Sequence, residues 1–155
     1  MDSARFGFLY RQGEGAISAR EWRAASALPL GIALALTIVW LAIMPREGRD
    51  LQREGLIDWS VALVYLYSIM YVFVLFIVAV AEYFLSAKRF TDRGRPPALA
   101  GLAPFLLLLA GAAHWYQPRS EGWMPEWGAW PIDALALAAV AWNVIELGFL
   151  EGRSR

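Results

Sequence analysis

Residues 24–44, AASALPLGIALALTIVWLAIM, run for twenty-one positions without a charged side chain. In hydrocarbon every backbone N–H and C=O must be paired within the protein, so such a run can only be helical. A bilayer core of roughly 30 Å needs about 20 helical residues, and this segment meets that length. So does 59–81, WSVALVYLYSIMYVFVLFIVAVA, which is expected to continue as helix through 87. A third run, 97–116, starts at a proline pair, where a missing N–H costs nothing, and is expected to be interrupted at Pro104. The fourth, 129–150, carries Asp133, Asn143 and Glu146, so a re-entrant or surface helix competes with a span there. Asp133 follows Pro131 and suits a first helical turn at one interface, and Glu146 falls near the other. The expected fold is an all-α integral membrane protein with four transmembrane helices and a short interfacial N-terminal segment. Residues 1–155 form a single domain, without repeats or low-complexity tracts.

Composition agrees with that reading and narrows the chemistry. Hydrophobic residues make up 59% of the chain, against about 45–50% in soluble domains. The formal net charge is zero, which gives no general attraction for nucleic acid. Cysteine is absent, which excludes disulfides and thiolate sites, and His114 is the only histidine. The N-terminal segment lacks the early apolar core of a signal peptide. No nucleophile–base pair, metal-ligand spacing or phosphate-binding glycine motif is present, so no catalytic, metal or cofactor-binding residue is assigned and no cofactor is expected.

Basic residues set the expected orientation. Ten lie in the N-terminal segment (Arg5, Arg11, Arg20, Arg23), the second connection (Lys88, Arg89, Arg93, Arg95) and the tail (Arg153, Arg155). Four, Arg46, Arg49, Arg53 and Arg119, lie on the other side. Both termini and the 87–97 loop are therefore expected in the cytoplasm. The 45–58 connection reads as a polar loop or short helix. The 114–131 stretch, rich in Trp, reads as an interfacial aromatic belt.

Two clusters on the basic side are candidate contacts for anionic headgroups or a partner: Arg20, Trp22 and Arg23, and then Lys88, Arg89, Asp92, Arg93 and Arg95. Ser18 followed by Glu21 fits a capping box, with Trp22 expected at headgroup level. In the loop, Asp92 and Gly94 supply turn chemistry. The run Gly15-Ala16-Ile17-Ser18-Ala19-Arg20-Glu21-Trp22 is similar to the opening of the DUF805 family of small bacterial inner-membrane proteins. Lys88-Arg89-Phe90-Thr91-Asp92-Arg93-Gly94-Arg95 resembles that family's loop after the second hydrophobic helix. The resemblance covers roughly 8–117. It departs at Ala16 and Ala19, where the family tends to have Arg, at Thr91 in place of a loop His, and at Pro96-Pro97-Ala98. The resemblance implies a bacterial inner-membrane location and this topology; the family has no settled activity.

Polar groups inside the spans are the other place to look: Glu82, Asp133, Asn143 and Glu146. Either Glu82 or Glu146 is expected to pair with Lys88, Arg89 or Arg95, and Asn143 to hydrogen-bond across helices. The bulky second helix reads as central or as facing a partner subunit. The leading expectation is a non-enzymatic accessory, assembly or interaction protein with a cytoplasmic basic surface. It would touch membrane lipids, and a larger complex or its own copies. A small transporter or ion-coupled carrier and an enzyme acting on lipid headgroups are the alternatives.

Overall fold

A computed structural model of the chain describes residues 2–43, 59–117 and 120–152. Met44, the 45–58 connection, Arg119 and the tail arginines fall outside them. The described residues are helical, without a strand. Helix α1 is Ser3–Arg11, α2 is Ala19–Ile43, α3 is Trp59–Asp92, α4 is Leu102–Tyr116 and α5 is Trp130–Gly148. A 3-10 turn over Pro97–Gly101 leads into α4, and another over Glu126–Ala129 leads into α5. Four of these segments, built on α2 to α5, are long and apolar enough to cross a membrane, including the polar-marked last one.

Local chemistry explains where the helices start and stop. The Glu21 N–H donates to Ser18 Oγ at 3.2 Å and the Trp22 N–H to the Ser18 carbonyl at 2.9 Å, so Ser18 caps α2. Only half of the expected capping box forms, because the Glu21 carboxylate turns to Arg5 instead. Helix α3 runs on past residue 87 to Asp92, with 34 residues. It ends in a Schellman motif. Gly94 takes φ 67°, its N–H donates to the Thr91 carbonyl at 2.9 Å, and the Arg95 N–H donates to Phe90 at 2.8 Å. Pro104 does not interrupt the third span. It falls in the first turn of α4, after the 3-10 segment, where its missing N–H has no helical acceptor to lose.

Helix α2 packs on α3, and α4 on α5; α1 lies against α3. The pairs meet where α5 touches α2 and α3, and the 3-10 turn before α4 packs against α3. Alanines are the buried positions of α4 (Ala103, Ala110, Ala113) and Ala136 and Ala139 are buried in α5, which lets the two backbones approach closely. The main core gathers Leu9, Ile17, Trp22, Leu85, Phe90 and Leu147 at the end where α2 begins and α3 and α5 finish. The Phe90 and Trp142 rings there are 5.5 Å apart. Beyond Pro29, α2 buries no residue. Helix α3 contacts α1, α2, α5 and the turn before α4, yet its outer face, with Phe73 and Phe76 about two-thirds exposed, is left to other surroundings.

Candidate functional site

The basic end of the bundle is built on two adjacent cations, Lys88 and Arg89, each with 0% residue exposure. Neither points outward. Lys88 Nζ donates to the carbonyls of Leu9 and Phe84, both at 3.0 Å, and to that of Gln12. Leu9 and Gln12 close α1, whose last carbonyls lack intrahelical donors. Lys88 supplies those donors, with its charge set over the Phe8 and Phe84 rings at 5.3 and 5.9 Å.

Arg89 does the same for α5. Its Nε donates to the Leu147 carbonyl at 2.9 Å, Nη2 to that of Leu150, and Nη1 to the Asp92 carboxylate. Arg23 adds a bond to the Gly148 carbonyl and lies 6.0 Å over the Phe149 ring. Arg93 reaches Glu146 Oε1 through Nη2 and Nε at 3.2 and 3.3 Å and also donates to the Glu151 carbonyl. Arg95 Nε lies 3.5 Å from the same Glu146 oxygen. The buried carboxylate of Glu146 thus has two guanidiniums around it, and the cations of the loop are bound up with the end of α5.

Several expected placements change. Trp22, expected at headgroup level, is 6% exposed and donates through Nε1 to Ser86 Oγ at 3.4 Å. Of the expected ion pairs, Glu146 with Arg95 forms, and Arg93, which was not expected, joins it, whereas Lys88 and Arg89 turn to carbonyls. Glu82 makes none among the described residues: its Oε2 accepts from Ser26 Oγ at 2.9 Å, and its Oε1 is buried with no partner. Asn143 Oδ1 is likewise buried without a hydrogen bond. Of the proposed headgroup contacts, Lys88, Arg89 and Trp22 are enclosed, while Arg20, Arg23 and Arg95 are exposed and Asp92 and Arg93 are partly so. A cleft of about 580 Å³ opens between residues 16–21 and 149–152, with Arg20 and Arg23 along it and the Arg89–Asp92 pair in its wall.

Sequence reasoning missed Tyr10 and Ser26. Pro29 lies inside α2 and has no N–H for the Ala25 carbonyl one turn earlier. Tyr10 Oη, from α1, donates to that carbonyl at 2.9 Å. Burial, and then the Glu82 carboxylate, push the Tyr10 phenol above its ordinary pKa, so it stays a donor. No sequence spacing links these residues; a proline within a span was the one available signal. Further along, Tyr67 Oη donates to the Leu36 carbonyl at 2.7 Å, and Thr37 and Tyr71 hydroxyls meet at 2.9 Å. At the opposite end His114 Nε2 lies 2.9 Å from Asp133 Oδ2, joining α4 to α5. Trp115, Trp123, Trp127 and Trp130 are all exposed at that end, as an interfacial belt requires.

Among the described residues no group of three His, Cys, Asp or Glu side chains could hold a metal. Comparison with protein families, with curated proteins and with solved structures gives no match. The class defined by fold and site is a four-helix, membrane-spanning-length bundle with one end fastened by inward-turned cations.

Proposed function

We propose that this chain is a non-enzymatic multi-pass protein of the bacterial inner membrane, with both termini in the cytoplasm, serving as an accessory or assembly subunit. The carrying observation is the contrast between its two kinds of surface. The cations Lys88 and Arg89 that a headgroup enzyme would need for phosphate are spent on the chain's own carbonyls, and α3 leaves Tyr65, Phe73 and Phe76 more than half exposed among the described residues. Kinship with the DUF805 family belongs to this reading and is supported by the spacing of the 88–95 loop after the second apolar helix. Anionic headgroups would meet the cations that stay exposed, Arg20, Arg23 and Arg95.

Native extraction followed by mass spectrometry tests it. A membrane-protein companion, or a second copy, should co-purify. Phe73→Ala with Phe76→Ala should release it without lowering the melting temperature, because both rings lie outside the core. A chain that always emerges alone, with no bound lipid, would sink the reading. A second reading, an ion-coupled carrier, is favoured by one observation only, the partnerless buried oxygen of Glu82.

A further inference from the structure

Glu82, half-buried in α3, differs from the buried acid of the bundle, Glu146. Glu146 has Arg93 and Arg95 beside it. Glu82 has one hydrogen bond, from Ser26, and a buried Oε1 that nothing reaches. It lies ten residues before the end of α3, about 15 Å inside that end. A carboxylate in such a place is costly unless a positive charge or a proton meets it.

Among the described residues no cation does so. On α3 itself Lys88 is the next basic residue, and its ammonium is held by the carbonyls of Leu9, Gln12 and Phe84. On α2, Arg23 is turned to Gly148 and Glu21 is held by Arg5. On α1, Arg11 lies 5.9 Å over the Phe6 ring. The titratable group of α1 that faces Glu82 is Tyr10, a neutral donor already bonded to the Ala25 carbonyl. That carbonyl has no helical donor because of Pro29, keeps a second lone pair beyond the Tyr10 bond, and is adjacent in the chain to Ser26. The Glu82 carboxyl, the Ser26 hydroxyl, the Ala25 carbonyl and the Tyr10 hydroxyl therefore form one linked set of oxygens where α1, α2 and α3 meet. Main-chain carbonyls that lack a helical donor, close to a carboxyl, are groups that small cations use within membranes.

We propose that Glu82 is the carboxyl of a binding site for one small monovalent cation, a proton or a sodium ion, with Ser26 and the Ala25 carbonyl supplying its further oxygens. A proton taken from water forms an O–H on the partnerless oxygen; a sodium ion shares the oxygens of the set. Either supplies the single positive charge that the bundle withholds.

The test uses the full chain, purified and reconstituted in vesicles, and reads Glu82 in two ways. Modification by a hydrophobic carbodiimide, which attacks neutral buried carboxyls, is located by mass spectrometry. Infrared spectra of the wild type and Glu82→Gln give the protonation state directly. If sodium is the ligand, replacing choline chloride with sodium chloride at fixed pH should slow modification of Glu82 about tenfold at ten times the dissociation constant, and Ser26→Ala should weaken that protection. If the proton is the ligand, sodium should have no effect. Modification should then rise as pH falls, together with a neutral-carboxyl band that Glu82→Gln lacks. An unreactive Glu82 whose ionised band ignores both sodium and pH, between about 5 and about 9, would overturn the proposal. Carbodiimide labelling is read on the wild type, so it stands even if Glu82→Gln fails to fold. The result is separate from the accessory-subunit reading: a chain that purifies alone leaves it untouched, and an inert Glu82 leaves that reading standing.

Discussion

Pro29 leaves the Ala25 carbonyl without its helical donor, and Tyr10, fifteen residues earlier and in another helix, supplies one. The repair costs nothing in the membrane's terms, since the hydroxyl and the carbonyl satisfy one another. Removing the donor strands a shielded acceptor, so Tyr10→Phe should destabilise the protein by about 1 kcal/mol. In a Pro29→Ala background the restored N–H serves the carbonyl, and the same substitution should then cost close to nothing. A double-mutant cycle by denaturant or thermal unfolding in detergent measures the difference; additive losses would refute the repair. The proline was visible in the sequence, but its remedy was not, because no pattern ties a tyrosine in one helix to a carbonyl in another. The same holds for Lys88 and Arg89. Their clustering was legible in the sequence. That they turn inward was hidden, because their partners are main-chain carbonyls, which every residue carries.

Helix boundaries were far easier to read. Length and apolar content mark all four long helices, and the DRG context marks Gly94 as a turn residue, in keeping with its φ of 67°. What escaped was the register between helices. Arg89 stands seven residues after Glu82 on one helix, yet it reaches across to the end of α5 while Glu82 faces Ser26 on α2. Sequence separation along one helix fixes which residues share a face, not which neighbour that face meets. The Schellman turn after α3 aims Arg93 and Arg95 at Glu146, so its geometry matters beyond the turn. Gly94→Ala should cost about 1 kcal/mol, since an L-residue pays to enter the left-handed region. Gly111→Ala is the control: a Cβ there meets nothing within 4 Å, and a helical glycine replaced by alanine should leave the melting temperature unchanged or higher.

The molecule as a whole is two helix pairs fastened at one end. Lys88 holds α1, and Arg89 holds the end of α5, from adjacent positions on α3. Helix α1 has nine residues, too few to persist in water on its own. Lys88→Met should therefore release it, and limited proteolysis should cut first within residues 12–18. Arg89→Met leaves Asp92 and two carbonyls at the end of α5, those of Leu147 and Leu150, without their donor, at about 1–3 kcal/mol for each stranded group. Cleavage should then begin near 149–152 instead. Identical fragments from the two variants would show that the fastenings are not separate.

These neighbours also close at different moments of synthesis. The acceptors of Lys88 at Leu9 and Gln12 are made before it, so that clasp can shut once α3 is in place. Arg89 must wait for Leu147 and Leu150, 58 and 61 residues later. Asp92 meets Nη1 almost at once, but at ribosomal rates of about 5–20 residues per second Nε and Nη2 wait roughly 3–12 s for their carbonyls. A chain cut short before its last helix never supplies them, and its Arg89 keeps two donors without the partners they have in the finished protein.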